Sequence, residues 1–217
     1  MWNDRDVLHA CAESLRAAAR AADDEQSPYG LDAHHELALH EILRAGLAAR
    51  GFGVHAEVRL PRRANLPKRS EGERCDIVLT DRPGEPLIDP LDAGTLFASV
   101  GVPMADALWI EVKCAHQFAL VEGVAQPGRA YTSQLLSGAV ADVRKLASQG
   151  LPFAATLLVL FTADEATAAH DLATWAHRCL DHDLPISSPL RESFPIRDRI
   201  GNNACTLALT RVSAFED

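Results

Sequence analysis

The run 154–161 (AATLLVLF) carries no charge and no alternation of polar with apolar residues. Successive side chains of a strand point to opposite faces, so such a run is stable only where both faces of its sheet are covered. That requires a layered α/β arrangement in which a central strand lies between helices. A chain of 217 residues can bury a core of this kind, and one domain spanning 1–217 is expected.

The rest of the chain supplies the layers. Val7, Leu8, Cys11, Leu15, Ala18, Ala19 and Ala22 recur at helical spacing and predict a helix from Asp4 to about Ala22. Pro28 and Gly30 break it, and a second helix is expected from an N-cap at Asp32 to Arg50, ended by Gly51. Strand character follows at 52–60, 75–80 and 107–114. A third helix over Tyr131–Ser148, the uncharged strand, a fourth helix over about 164–182 and a last strand at 205–212 complete the order α, α, β, β, β, α, β, α, β. The last strand follows a Pro- and Arg-rich link. Residues 81–106, acidic and holding Pro83, Pro86, Pro90 and Pro103, read as an insertion of the lid type rather than a second domain.

Several functions are excluded. The five cysteines (Cys11, Cys75, Cys114, Cys179, Cys205) form no Cys-x-x-Cys pair, which rules out a disulfide scaffold or a zinc ribbon. No apolar run is long enough to cross a bilayer, and the charged N-terminus is unlike a signal peptide, so a cytoplasmic protein with no membrane partner is expected. Gly-x-Ser-x-Gly, Walker and Gly-x-Gly-x-x-Gly motifs are absent. His35 and His40 stand five residues apart, about 140° around a helix, and cannot share one zinc ion. The net charge of −9 argues against a protein that coats duplex nucleic acid without specificity.

Charges nonetheless occur where buried strands should have none. In 107–114, alternation puts Ile110, Val112 and Cys114 on one face and Trp109, Glu111 and Lys113 on the other. In 75–80 it puts Cys75, Ile77 and Leu79 on the apolar face and Asp76, Val78 and Thr80 opposite. If the two strands pair with apolar faces together, Asp76 joins Glu111 and Lys113. Such a cluster is costly unless its members are paired or bind a cation. Two carboxylates and the carbonyl of Val112 make a hard-oxygen site suited to Mg²⁺, and a lysine beside it can orient or deprotonate a bound water for attack on phosphorus. In the second helix Glu36, Leu39, His40, Leu43 and Leu47 share a stripe, so Glu36 can complete the metal shell or pair with an arginine or helix end.

The order α, β, β, β, α, β, with Asp76 on the second strand, the triplet Glu111-Val112-Lys113 on the third and an acid in the preceding helix, resembles the PD-(D/E)XK, or restriction-endonuclease-like, nuclease superfamily over about residues 32–162. The resemblance implies a restriction-endonuclease-like α/β core (αβββαβ) with an extra N-terminal helix and a C-terminal α/β extension. It also implies a phosphodiesterase in which Asp76 and Glu111 hold Mg²⁺ or Mn²⁺ and Lys113 acts on the water, with DNA ahead of RNA as substrate. Cys75 stands where the name-giving proline would be. The 35-residue gap between Asp76 and Glu111 leaves Asp81, Asp89, Asp92 and Asp106 as alternatives to Asp76. In several branches the following helix contributes a Gln, Tyr or Lys; here Tyr131, Gln134, Asp142 and Lys145 are available, and Gln134, Gly138, Asp142 and Lys145 form a stripe facing either the cleft or solvent. A different class of reading is a catalytically silent domain of this fold that binds a partner protein or nucleic acid. A homodimer is equally open.

Positive charge is concentrated at 59–74, which sums to +4 while the remaining chain sums to −13. Arg62, Arg63, Lys68 and Arg69 in this stretch are the expected phosphate grip, leading into Asp76. Otherwise the nucleic acid would approach along Gln134 and Lys145.

Overall fold

The computed structural model describes residues 2–61, 73–88 and 100–215. Its framework is a mixed six-stranded sheet. The strands are β1 (Gly53–Arg59), β2 (Arg74–Thr80), β5 (Leu108–His116), β8 (Ala154–Thr162), β9 (Leu190–Pro195) and β10 (Ala204–Val212), in the spatial order β1-β2-β5-β8-β10-β9. All nine residues of β8 are buried, as a strand without alternation must be. β8 runs parallel to β5 and antiparallel to β10, which it meets from Ala154↔Val212 to Thr162↔Ala204.

Helices cover both faces. On one, α1 (Asp4–Asp24) and α2 (Glu36–Ala49) bury Val7, Cys11, Leu15, Leu39, Leu43 and Leu47 against Ile77, Ile110, Val112, Leu157 and Val159. On the other, α4 (Ala139–Gln149) and α5 (Glu165–Asp181) bury Val140, Val143, Leu172 and Trp175 against Val78, Trp109, Leu158 and Leu160. α3 (Tyr131–Ser133) leads into α4 through a π turn at Gln134–Gly138, so the expected single helix over Tyr131–Ser148 carries one wide turn. Among the described residues no helix is long and apolar enough to cross a membrane.

Four expectations need correction. Asp32 is not the N-cap of α2: it lies buried in a short 3-10 turn, Leu31–Ala33, where Asn202 Nδ2 donates to its Oδ2 at 2.9 Å. His35 caps instead, its Nδ1 accepting from the Ala38 amide at 3.1 Å. The link before the last strand contains β9, which among the described residues pairs with β10 alone and forms an edge of the sheet, and edges lack the apolar pattern that marks central strands. Between β5 and α3 a hairpin, β6 (Phe118–Val121) with β7 (Val124–Pro127), was not signalled. Finally, Cys75 does not share a face with Ile77 and Leu79, for it packs with Val78 and Trp109 on the α4 side. The cause is local. Glu57, across from Asp76 in the β1–β2 register, takes a positive φ of 51°, and alternation breaks there in both strands. Of the insertion 81–106, the described ends form a two-residue parallel ladder, β3 (Leu87–Ile88) with β4 (Val102–Pro103), and 89–99, with Asp89 and Asp92, fall outside the described residues.

Candidate active site

The site begins where two strands part. β2 and β5 are bridged at Leu79↔Leu108, Val78↔Trp109 and Ile77↔Ile110, and the ladder stops there, while β5 continues along β8 to His116. Asp76, the next residue of β2, reaches across the opening, and its Oδ2 accepts from the Val112 amide at 2.8 Å. A side chain replaces the next backbone rung and holds the fork at a set width. The amide of Val112, the residue expected to offer its carbonyl, is engaged by this contact. Asp81 and Asp106, weighed as substitutes for Asp76, are exposed.

Glu111, one residue before Val112, is 3% exposed. Its Oε1 lies 2.7 Å from Lys145 Nζ of α4, and the same ammonium donates to the Arg74 carbonyl at 3.0 Å. Burial pushes the Glu111 carboxyl up to about 7, against the pull of Lys145 and with the help of the Asp76 charge. Lys113 Nζ lies 3.1 Å from Glu36 Oε1 and 3.6 Å from Asp142 Oδ2. Burial acts against its charge, but Asp142 and Glu36 outweigh burial, so the Lys113 pKa stands above that of a free lysine. Lys145 is raised likewise, chiefly by Glu111, and burial raises the Asp142 carboxyl in spite of both lysines.

The polar stripe after the E-x-K strand faces this cluster. Asp142 and Lys145 ion-pair with the two charged residues of the triplet, and Gly138, at the end of the π turn, lies beside the Lys113 stem, where an added Cβ would stand 3.8 Å from Cε. Gln134 sits half-buried in the π turn. Tyr131 is turned to α5, its hydroxyl donating to Asp171 Oδ2 at 2.6 Å.

Asp76, Glu111, Lys113 and Glu36 therefore belong to one network, with Glu36 tied to Lys113 rather than grouped with the two strand carboxylates. Arg62, Arg63, Lys68 and Arg69 lie outside the described residues. Two groups were missed. His40, one turn after Glu36, is 3% exposed, and among the described residues neither ring nitrogen has a hydrogen-bond partner. A ring nitrogen of His40 and carboxylate oxygens of Glu57 and Asp76 lie within 4.8 Å of one another, as do donor atoms of Glu36, His40 and Cys114. A histidine on an apolar helical stripe was the sequence signal for the first; Glu57, in a strand with no repeat of acids, offered none.

The donor set suits a divalent cation. Four carboxyl groups (Asp76, Glu111, Glu36, Asp142) face two ammonium groups (Lys113, Lys145), an excess of two negative charges when all are ionised, in a half-buried place. Family models, curated proteins and solved structures were compared with this chain, and none matches it.

Proposed function

We propose that this protein is a metal-dependent nuclease with a restriction-endonuclease-like core, hydrolysing phosphodiester bonds of nucleic acid, DNA ahead of RNA, with Mg²⁺ or Mn²⁺. The observation that carries the reading is the fork between β2 and β5, where Asp76 grips the Val112 amide beside Glu111 and Lys113. Asp76 and Glu111 would hold the cation, which supplies a Lewis acid and a water of lowered pKa. Asp76 and the strand pairing keep Glu111 in place, since β5 is locked to β8 through the triplet. Lys113 enters as a cation, because its neighbours hold its proton. An ammonium of this kind orients a water or hydroxide and offsets charge on the phosphate oxygens. Lys145 neutralises Glu111 while no other cation does so.

The test is degradation of single-stranded DNA, duplex DNA and RNA by the purified chain with Mg²⁺ or Mn²⁺. EDTA, Lys113→Ala and Glu111→Ala should each reduce cleavage at least about a hundredfold, the scale of losing a positioned acid–base or electrostatic group. Cleavage that persists unchanged in both variants removes the assignment. One observation favours a silent, partner-binding domain instead: each lysine of the site is already ion-paired. Tight metal binding with no cleavage on the whole substrate panel would support that reading.

A further inference from the structure

We propose that His40, Glu57 and Asp76 form a second cation position, on the β1 side of Asp76, that takes a first-row transition-metal ion such as Mn²⁺ in preference to Mg²⁺. The inference rests on the nuclease reading only in sharing Asp76. In the sheet, β2 lies between β1 and β5, so Asp76 stands between Glu57 on one neighbour and Glu111 on the other. With Oδ2 of Asp76 engaged by the Val112 amide, the carboxylate bridges the fork and is shared by the two positions.

The buried histidine points to a ligand. An imidazole 3% exposed, neither of whose nitrogens has a hydrogen-bond partner among the described residues, loses its water contacts on folding and gains no hydrogen bond in return. Carboxylates stand beside it: Glu36 Oε1 lies 3.9 Å from Nε2, and Glu57 and Asp76 place oxygens within 4.8 Å of a ring nitrogen and of each other. Ligands each about 2.0 to 2.2 Å from one ion stand within about 4.4 Å of one another, so small side-chain shifts suffice to close this set on a cation. Glu57 occupies the β1 position facing Asp76 in the register, on the side of Asp76 away from β5. The alternative group, Glu36 with His40 and Cys114, is weaker. Glu36 is taken by Lys113 at 3.1 Å.

The donor chemistry sets the metal class. Mg²⁺ keeps an all-oxygen shell, whereas one imidazole with two carboxylates suits Mn²⁺ and the later first-row ions. The position is therefore distinct in preference from the hard-oxygen pair Asp76 and Glu111.

Pulsed EPR of the full chain loaded with Mn²⁺ alone tests this. The expected result is nitrogen modulation from one coordinated imidazole, retained in a several-fold excess of Mg²⁺. His40→Ala should abolish it, and Glu57→Gln should weaken the nitrogen-coupled Mn²⁺ at least about tenfold in a titration. Glu57 is exposed, so that variant carries the test if His40→Ala does not fold. Glu111→Gln should leave the nitrogen signal in place. Mn²⁺ bound with no nitrogen coupling, or coupling unchanged in both His40→Ala and Glu57→Gln, overturns the inference. The nuclease reading fails separately, by lack of cleavage in a protein that still shows the nitrogen-coupled ion.

Discussion

Glu111 is the residue on which pH should act most visibly. Its carboxyl titrates near 7 in the folded chain against 4.5 when free, so between these values the folded state holds a proton that the unfolded chain has released. Its contribution to folding is complete below about pH 4.5 and is lost as pH rises through 7. Urea unfolding of the wild type and of Glu111→Gln at pH 5 and pH 8 should show the variant gaining about 2 to 3 kcal/mol on the parent across that interval. Parallel pH dependence in the two would show that burial does not govern this carboxyl. Lys145 opposes the shift, so Lys145→Met should drive the Glu111 pKa higher, which a side-chain carboxyl ¹³C titration reads directly.

At the scale of elements, two helical glycines make opposite predictions. Gly46 lies where α2 crosses α1, and a Cβ there would meet Ser14 Cβ at 2.4 Å and the Ala10 carbonyl at 3.0 Å. Gly46→Ala should cost about 1 to 3 kcal/mol through overpacking, in spite of alanine's better helix propensity. Gly138 would place its Cβ in ordinary contact with Ser133 and Lys113, at 3.7 and 3.8 Å. Gly138→Ala should stabilise by about 0.5 to 1 kcal/mol. Thermal unfolding of both variants decides the matter, and a loss at Gly138 would mean that the π turn itself needs glycine's freedom. The turn matters because it sets α4 against β5, putting Asp142 and Lys145 within reach of Lys113 and Glu111.

For the whole molecule the unequal charge distribution is the main constraint on substrate. On the nuclease reading proposed above, a chain of −9 would hold its polyanion through a local cationic stretch, and the sequence concentrates positive charge at 59–74. Replacing Arg62, Arg63, Lys68 and Arg69 with alanine should weaken nucleic-acid binding and flatten its salt dependence by up to about four charges, near 0.9 log units each for duplex DNA. Mn²⁺ binding measured in the same sample should be unaltered. An unchanged salt slope would direct attention to the face bearing Gln134.

What the sequence determined by itself is whatever a local pattern encodes. The uncharged run 154–161 demanded a covered central strand and became one, and the 3.6-residue periodicities of 4–22 and 131–148 became helices, because burial of one stripe is a property of neighbours in sequence. Alternation likewise put Glu111 and Lys113 on the face opposite Ile110, Val112 and Cys114. What depended on residues distant in the chain was decided only by the tertiary structure. Asp32 looked like a cap until Asn202, 170 residues away, took its carboxylate. Alternation misplaced Cys75 because a single backbone angle at Glu57 rotates the ribbon. The pairing of Lys145 with Glu111, and the approach of His40 and Glu57 to Asp76, join separate elements, and periodicity carries no information on which polar face meets which.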